Sequence, residues 1–236
     1  MPARSQARNV YRLRVELRDS NPLIWRRFEV PGEITLPRLD RALQIVMGWE
    51  NCHLHEFRIG GNAYAQPDPE DHHFGRTVLD ERRVRLQKVI SNPGSSFEYI
   101  YDFGDNWRHD ITLESVLPAI PRKLYPVSTA GEWSAPPEDV GGIPGYAHYL
   151  EALRDIRHPD HRTLLAWRGR FNPANFSINR VNRALREEFH GRARQAARTA
   201  VQLPESTAPT GAAEELDLIL RSLVKYKRLP RLPHHN

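Results

Sequence analysis

Hydrophobic and polar positions alternate most regularly on either side of Gly104. A period of two is typical of a β-strand with one buried face. The segment Gly104-Asp105-Asn106 separates the two runs and favours a turn, because glycine adopts positive φ and Asp and Asn bond nearby backbone groups. The pattern therefore predicts a short-looped hairpin. Its alternating residues are Phe97, Tyr99, Tyr101 and Phe103 before the turn, and Trp107, His109, Ile111 and Leu113 after it.

A second hairpin and a helix are predicted nearer the start of the chain. Residues 11–17 and 24–30 alternate in the same way, with turn-forming residues between them. The helix that follows has apolar residues three and four positions apart. Thr35 can cap it, Pro37 lies in its first turn, and Gly48 is placed to end it.

The region between this helix and the central hairpin predicts two more strands. A strand over residues 53–59 would place His53 and His55 on one face, and residues 84–86 indicate a weak strand. The order of all these elements predicts an α+β fold, in which a mixed β-sheet packs on one helix. This order is similar to the β-grasp arrangement, as an analogy of element order only.

Proline and glycine dominate residues 118–145, and no apolar period runs through them. Such a long stretch predicts a loop that is either disordered or functional. Helical spacing returns in residues 146–189, so a C-terminal helical segment is expected. We therefore predict an α/β domain over residues 1–190. Residues 191–236 are predicted to form a basic linker and a C-terminal helix or tail.

Composition narrows the possible classes of protein. No apolar run approaches the roughly 20 residues of a membrane helix. The first residues also lack the apolar core of a signal peptide. We therefore expect a cytoplasmic protein without a membrane partner. Cys52 is the only cysteine, which excludes a disulfide or a thiolate-rich metal site within one chain.

The net charge of +5 suggests a polyanionic partner, but the distribution of the charge matters. Residues 190–236 carry eight cations and four anions, so the basic excess lies in the tail. These cations could contact phosphates without reading base sequence, and a solvated tail is the alternative. The candidate nucleic-acid-binding residues are Arg192, Arg194, Arg198, Lys225, Lys227, Arg228 and Arg231.

Several motifs within residues 10–190 together resemble the plasmid pRiA4b ORF-3-like family. They are Trp25-Arg26-Arg27, Gly48-Trp49, His53-Leu54-His55-Glu56-Phe57, Tyr101-Asp102-Phe103-Gly104-Asp105-Asn106-Trp107-Arg108-His109, Pro136-Pro137-Glu138-Asp139-Val140-Gly141-Gly142 and Phe171-Asn172-Pro173. The resemblance implies a compact α/β domain carried on plasmids and mobile elements of bacteria and archaea. Some members carry a resolvase label.

Members of this family often have cysteines around the Pro-Pro-Glu-Asp motif. The corresponding positions of this chain are Ser128, Ala135 and Val140. If those cysteines bind a metal or form a bridge in relatives, that feature is absent here.

A pocket of imidazoles and carboxylates is the most specific functional interpretation. His53, His55 and His109 lie on matching faces of the predicted strands, so they could converge. Imidazole with carboxylate suits a divalent metal such as Zn or Mn, and a metal with an open position can activate water for hydrolysis. The alternative is a structural network, because buried polar groups are normally hydrogen-bonded. The candidate metal ligands are His53, His55, His109, Asp105 and Glu138.

Further residues are predicted to surround this pocket. Glu138 and Asp139 have an architectural alternative, in which they cap loop amides or pair with Arg26 or Arg108. Tryptophan side chains more often form a core or a pocket wall than a platform for bases. The candidate pocket residues are Asp102, Trp107, Trp49, Asp139 and Arg26.

Two functional hypotheses follow from these observations. The first is a non-enzymatic binding module of mobile DNA, which contacts a protein partner and, through its tail, nucleic acid. The second is a metal-dependent hydrolase or nuclease. A strand-exchange enzyme is not predicted. The His-x-x-Arg spacing of residues 55–58 lies on an early strand without a paired tyrosine nucleophile.

Overall fold

The computed structural model describes residues 9–67 and 77–201, with side chains as far as residue 191. The chain divides into two units, Met1–Gln195 and Ala196–Asn236. Residues 202–236 lie outside the described residues, and with them the predicted last helix, most of the predicted linker, and Lys225, Lys227, Arg228 and Arg231. The first part of the predicted linker, residues 191–201, is helical. The side chains of Arg192, Arg194 and Arg198 also lie outside them.

The described residues form eight strands and five α-helices. The strands are β1 (Asn9–Leu17), β2 (Trp25–Pro31), β3 (His55–Ile59), β4 (Asn62–Ala65), β5 (Val78–Asp80), β6 (Ser96–Tyr101), β7 (Trp107–Pro118) and β8 (Val127–Glu132). The helices are α1 (Leu36–Met47), α2 (Leu86–Val89), α3 (Gly142–Arg154), α4 (His161–Arg168) and α5 (Ile178–Val201). A 3-10 turn at Glu81–Arg83 follows β5. No described helix combines the length and the apolar character needed to span a bilayer.

All eight strands belong to one mixed sheet, in the order β5-β4-β3-β6-β7-β1-β2-β8. Only β4 and β5, at one edge, pair in parallel. The predicted α+β fold with a mixed sheet is confirmed, and the two predicted hairpins are β1–β2 and β6–β7. The weak strand predicted over residues 84–86 is wrong, since only Arg85 forms an isolated bridge, with Thr35. Strand β8 lies within the stretch predicted as a loop.

Helix α1 packs the apolar stripe expected from its sequence into the core. Its three leucines are fully buried. Pro37 occupies the first turn, and Gly48 ends the helix with φ of 97°. Asp40 and Gln44 of this helix are also buried. Their polar groups are satisfied there, because Asp40 accepts from the hydroxyl of Tyr99 on β6 and Gln44 donates to it. These two bonds fix the helix to the middle of the sheet.

The other face of the sheet is covered by paired charges. The pairs are Arg12 with Glu29, Arg14 with Glu16, Arg18 with Asp110, Arg27 with Glu114, Arg58 with Glu56 and Arg108 with Glu98. Six arginines therefore meet six carboxylates. This face carries no surplus of positive charge from these residues.

The Pro-Pro-Glu-Asp segment lies against the turn of the β6–β7 hairpin, just before α3. Gly141 donates its N–H to Asp105 Oδ2 at 3.0 Å. Gly142 has φ of 67°, and a Cβ atom at this position would lie 2.6 Å from the carbonyl oxygen of Asp105. Both its conformation and its surroundings therefore require glycine.

Replacing Gly142 with alanine should lower the free energy of unfolding by roughly 3 kcal/mol or more, because positive-φ strain adds to the clash with Asp105. Gly61 provides the control, since its φ is 81° and nothing lies within 4 Å of an added Cβ. Gly61→Ala should cost only about 1 kcal/mol. Chemical denaturation measures both losses. Equal losses would show that the segment moves off the hairpin without a penalty.

His109 of β7 is a fully buried imidazole in the aromatic part of the core. Its Nδ1 lies 3.2 Å from the carbonyl oxygen of Tyr99, so this nitrogen donates. Its Nε2 then accepts from Trp49 Nε1 at 3.4 Å. Both contacts suit the neutral ring, and burial lowers the pKa of His109 to about 4.

This depressed pKa predicts a pH dependence of stability. Between pH 6.5 and 4 the unfolded chain binds a proton at His109 that the native state excludes, so stability present above pH 6.5 is lost as the pH falls. The loss between pH 7 and 4 should be about 3 kcal/mol larger in the wild type than in His109→Gln, which does not titrate. Urea denaturation at a series of pH values measures it. Parallel losses in both proteins would contradict a neutral, buried His109.

Candidate functional site

One imidazole nitrogen faces three carboxylates at the end of the β6–β7 hairpin. The Nε2 atom of His53 lies 3.1 Å from Asp139 Oδ1, 3.6 Å from Asp102 Oδ2 and 3.8 Å from Glu138 Oε2. Two bonds of about 2.1 Å to one ion place their ligand atoms roughly 3–4 Å apart. The observed spacings therefore match those of atoms that could share a metal ion.

Three separate segments bring these side chains together. His53 lies in the loop between α1 and β3, not on the strand where the sequence pattern predicts it. Asp102 follows β6 with φ of 57°, and its Oδ1 accepts from the N–H of Gly104, which leaves Oδ2 facing His53. Glu138 and Asp139 belong to the segment that the hairpin turn holds before α3.

Glu138 is the best-fixed member of the group. Its side chain is only 5% exposed. Its Oε1 accepts from the backbone N–H of Glu50 at 2.7 Å and from the hydroxyl of Tyr101 at 3.0 Å. Burial is the main cause that raises the pKa of Tyr101, so the hydroxyl keeps its proton and donates. One carboxylate oxygen is therefore saturated.

The other oxygen, Glu138 Oε2, is buried and has no hydrogen-bond partner among the described residues. The same holds for His53 Nε2, which lies 3.1 Å from Asp139 Oδ1 but forms no hydrogen bond among the described residues. Buried polar atoms without partners are rare and costly, and each one calls for an explanation. Here two such atoms face each other across 3.8 Å.

Charge gives a second reason to expect a cation at this place. Within the described part of the chain, the ion-pair partner of Asp102, Glu138 and Asp139 is His53 alone. Ionised, the three carboxylates bring three negative charges, and one imidazolium could offset only one of them. The Asp102 and Glu138 side chains are at least nine-tenths buried, so water screens their repulsion poorly. A divalent cation would compensate the two negative charges that remain.

The three predicted histidines do not converge on one ion within the described residues, which corrects the arrangement expected from the sequence. His53 is the only one of them in a group with metal-ligand spacing. His109 lies in the core against Tyr99 and Trp49. His55 begins β3 and contacts two other carboxylates.

His55 has both ring nitrogens occupied. Its Nδ1 lies 3.3 Å from Asp40 Oδ1, and its Nε2 lies 3.0 Å from Glu81 Oε2. Burial opposes a charged ring, but the bond to Glu81 and the attraction of both carboxylates outweigh it and raise the pKa of His55. Burial also raises the pKa of Asp40, against the opposing effects of His55 and Tyr99. This cluster satisfies itself and leaves no place for an ion.

The remaining predicted residues have structural contacts. Asp105 accepts from Gly141, as described above, and so fixes the segment that carries Glu138. Trp49 and Trp107 are buried and stack with ring centroids 5.4 Å apart. Arg26 is also buried and pairs with neither Glu138 nor Asp139.

The guanidinium of Arg26 donates to backbone carbonyl oxygens of Val46, Trp25 and Glu132 and lies over the ring of Phe176. Burial lowers its pKa to about 10. Arg108, the other predicted partner of the Pro-Pro-Glu-Asp carboxylates, pairs with Glu98 on the outer face.

Sequence reasoning missed one residue of this site, Cys52. Its sulfur, a nitrogen of His53 and an oxygen of Glu138 all lie within 4.8 Å of one another. Its position directly before His53 in a Cys-His pair was the available signal. A separate group, His148, His158 and Asp160, lies on the surface around α3 and α4, where its members bond one another.

The family model of plasmid pRiA4b ORF-3-like protein matches residues 9–180. This region contains His53, Asp102, Glu138 and Asp139. A similar chain from Sinorhizobium fredii (strain NBRC 101917 / NGR234), "Uncharacterized protein y4hQ", is 39% identical over 180 residues, which cover 75% of this chain and 91% of the relative.

The fold is also similar to a solved structure. It is the crystal structure of the protein of unknown function MM3350 from Methanosarcina mazei Go1, with a TM-score of 0.66 and 34% identity. The match covers 73% of this chain and 97% of the MM3350 chain. By the extent of the family match and the identity to its relatives, the chain belongs to the plasmid pRiA4b ORF-3-like protein family.

Proposed function

We propose that this protein binds a divalent transition-metal ion at His53 and uses it as a hydrolytic centre. The observation that carries the proposal is the pair of buried, unpartnered atoms His53 Nε2 and Glu138 Oε2, 3.8 Å apart. An ion between them would satisfy both atoms at once. The neighbouring oxygens of Asp102 and Asp139 add the negative charge that a divalent ion requires.

The exposure of the site to solvent favours a catalytic ion over a purely structural one. Structural metal sites are closed by protein ligands, whereas catalytic sites keep a position open to water. Here the Asp139 side chain is 69% exposed, and the His53 side chain is 29% exposed. A bound divalent ion with a free position lowers the pKa of water and so supplies a nucleophile for hydrolysis.

Residues of the chain would hold this centre in a fixed geometry. Tyr101 and the N–H of Glu50 orient the Glu138 carboxylate, and the N–H of Gly104 orients Asp102. Asp139, at the solvent edge, would accept a proton from an attacking water. Leu54 and Phe103 are exposed neighbours of Asp102 and would offer apolar surface to a substrate.

The proposal predicts that tag-free protein, stripped with a chelator, takes up about one equivalent of Zn²⁺ or Mn²⁺ in calorimetric titration. Glu138→Gln should weaken binding by at least about 10-fold, since even residues that only orient a ligand are worth about 10–100-fold. The amide oxygen of glutamine still accepts from Glu50 and Tyr101, so the melting temperature should change little. His53→Ala should weaken binding in the same way.

His148→Ala is the matched control, because it removes an imidazole from the other histidine and aspartate group. Binding should be unaffected in this variant. The hydrolytic part of the proposal is tested with an activated ester and an activated phosphodiester. Metal-loaded wild type should hydrolyse at least one of them, and Glu138→Gln should not exceed background. Wild type without stoichiometric metal uptake would overturn the whole proposal.

A second function, contact with nucleic acid through the tail, is favoured by the distribution of charge. The arginines of the outer sheet face are matched by carboxylates, whereas residues 190–236 carry eight cations and four anions. Phosphate contacts would therefore fall on the tail rather than on the sheet. A protein partner is proposed for the same module, in keeping with an association with mobile DNA.

This second function predicts salt-sensitive binding of duplex DNA by the full chain. Changing Lys225, Lys227, Arg228 and Arg231 to glutamine should reduce the slope of log affinity against log salt by up to roughly 3.6, because each phosphate contact contributes about 0.9. Exchanging the exposed cations Arg157 and Arg162 is the control and should leave the slope unchanged. Gel-shift titrations at several salt concentrations measure it. An unaltered slope in the tail variant would exclude the tail as the contact.

A further inference from the structure

Cys52 directly precedes His53 in the chain and lies close to Glu138. Its sulfur forms a group with His53 and Glu138, in which the three ligand atoms lie within 4.8 Å of one another. Asp102 and Asp139 form a second group with His53. Both groups have metal-ligand spacing, so the structure offers an ion two overlapping sites that share the imidazole of His53. The Cys52 seat consists of Cys52, His53 and Glu138, and the other seat consists of His53, Asp102 and Asp139.

The unpartnered atoms distinguish the two seats. Glu138 belongs to the seat that contains Cys52, and its Oε2 is buried without a hydrogen-bond partner. Asp139, in the other seat, is largely exposed and can be solvated by water. An ion in the Cys52 seat would therefore give a polar partner to Glu138, whose Oε2 is buried, whereas water can already solvate Asp139.

The thiol itself is available for coordination. Cys52 is exposed and is not part of a disulfide. Its sulfur lies 3.7 Å from the hydroxyl of Tyr101, and its backbone N–H donates to the same hydroxyl. Tyr101 thus fixes Cys52 and Glu138 together, since it also donates to Glu138 Oε1.

We propose that Cys52, His53 and Glu138 are the protein ligands of the ion, and that the thiolate makes the site selective for thiophilic ions such as Zn²⁺ over Mn²⁺ or Mg²⁺. This inference rests on the proposed metal site and specifies its ligands. Three protein ligands of this kind leave a fourth position for water, as in catalytic zinc sites. Soft sulfur ligands favour Zn²⁺, whereas sites of oxygen alone suit Mg²⁺ and Mn²⁺.

Cobalt(II) tests the inference, because it replaces zinc and its spectrum reports the ligands. Stripped full-length protein is titrated with Co²⁺ in a phosphine reductant that contributes no sulfur. Wild type should show both the visible bands of bound cobalt and a near-ultraviolet band of thiolate-to-cobalt charge transfer. Cys52 is the only cysteine of the chain, so the sulfur band has only one possible source in the protein.

Two variants complete the experiment. Cys52→Ser should still bind Co²⁺ but without the sulfur band, and its preference for Zn²⁺ over Mn²⁺ should fall about 10-fold or more. The comparison between variants matters, because most sites bind Zn²⁺ more tightly than Mn²⁺. Asp139→Asn should keep the sulfur band, since Asp139 is not in the group that contains Cys52.

The possible results separate this inference from the function on which it rests. Visible cobalt bands without a sulfur band in wild type would overturn the role of Cys52 and leave the metal site standing. An unchanged Zn²⁺ preference in Cys52→Ser would do the same. Failure of wild type to bind Co²⁺, Zn²⁺ or Mn²⁺ would overturn both.

Discussion

The arrangement of the site depends on the carboxylate of Glu138, whose two oxygens have different surroundings. One oxygen takes the hydroxyl of Tyr101 and the N–H of Glu50, which joins the Pro-Pro-Glu-Asp segment to the sheet and to the loop after α1. The other oxygen is then held in place, buried and without a partner. Because the contacts of the first oxygen fix its position, this second oxygen cannot turn towards water. The fold itself therefore leaves it without a hydrogen-bond partner.

The sheet supplies these contacts through the simple alternation of β6. Tyr99 and Tyr101 lie two positions apart, so both point to the inner face. Tyr99 holds Asp40 and Gln44 of α1, while Tyr101 holds Glu138 and the backbone of Cys52. The same strand therefore anchors the helix with one hydroxyl and organises the candidate site with the next.

Much of this framework could be predicted from the sequence, because it follows from local periodicity. The two hairpins, α1 with its glycine end and the mixed sheet all appear in the pattern of residues. The site was only partly predictable. His53 lies in a loop, where alternation carries no information, so the pairing of His53 with His55 on a strand face misled the ligand assignment. Asp40 and Glu81, which occupy His55, come from distant segments, and no local pattern reveals such partners.

The three histidines show why residue type alone could not identify the centre. His109 is neutral in the core, with both nitrogens matched to neutral partners. His55 lies between two carboxylates and has no nitrogen left. Only His53 combines a buried, unpartnered nitrogen with an excess of nearby negative charge. A metal ion requires both an available lone pair and uncompensated negative charge. The unpartnered nitrogen of His53 and the carboxylates around it, rather than the number of histidines, therefore identify the site.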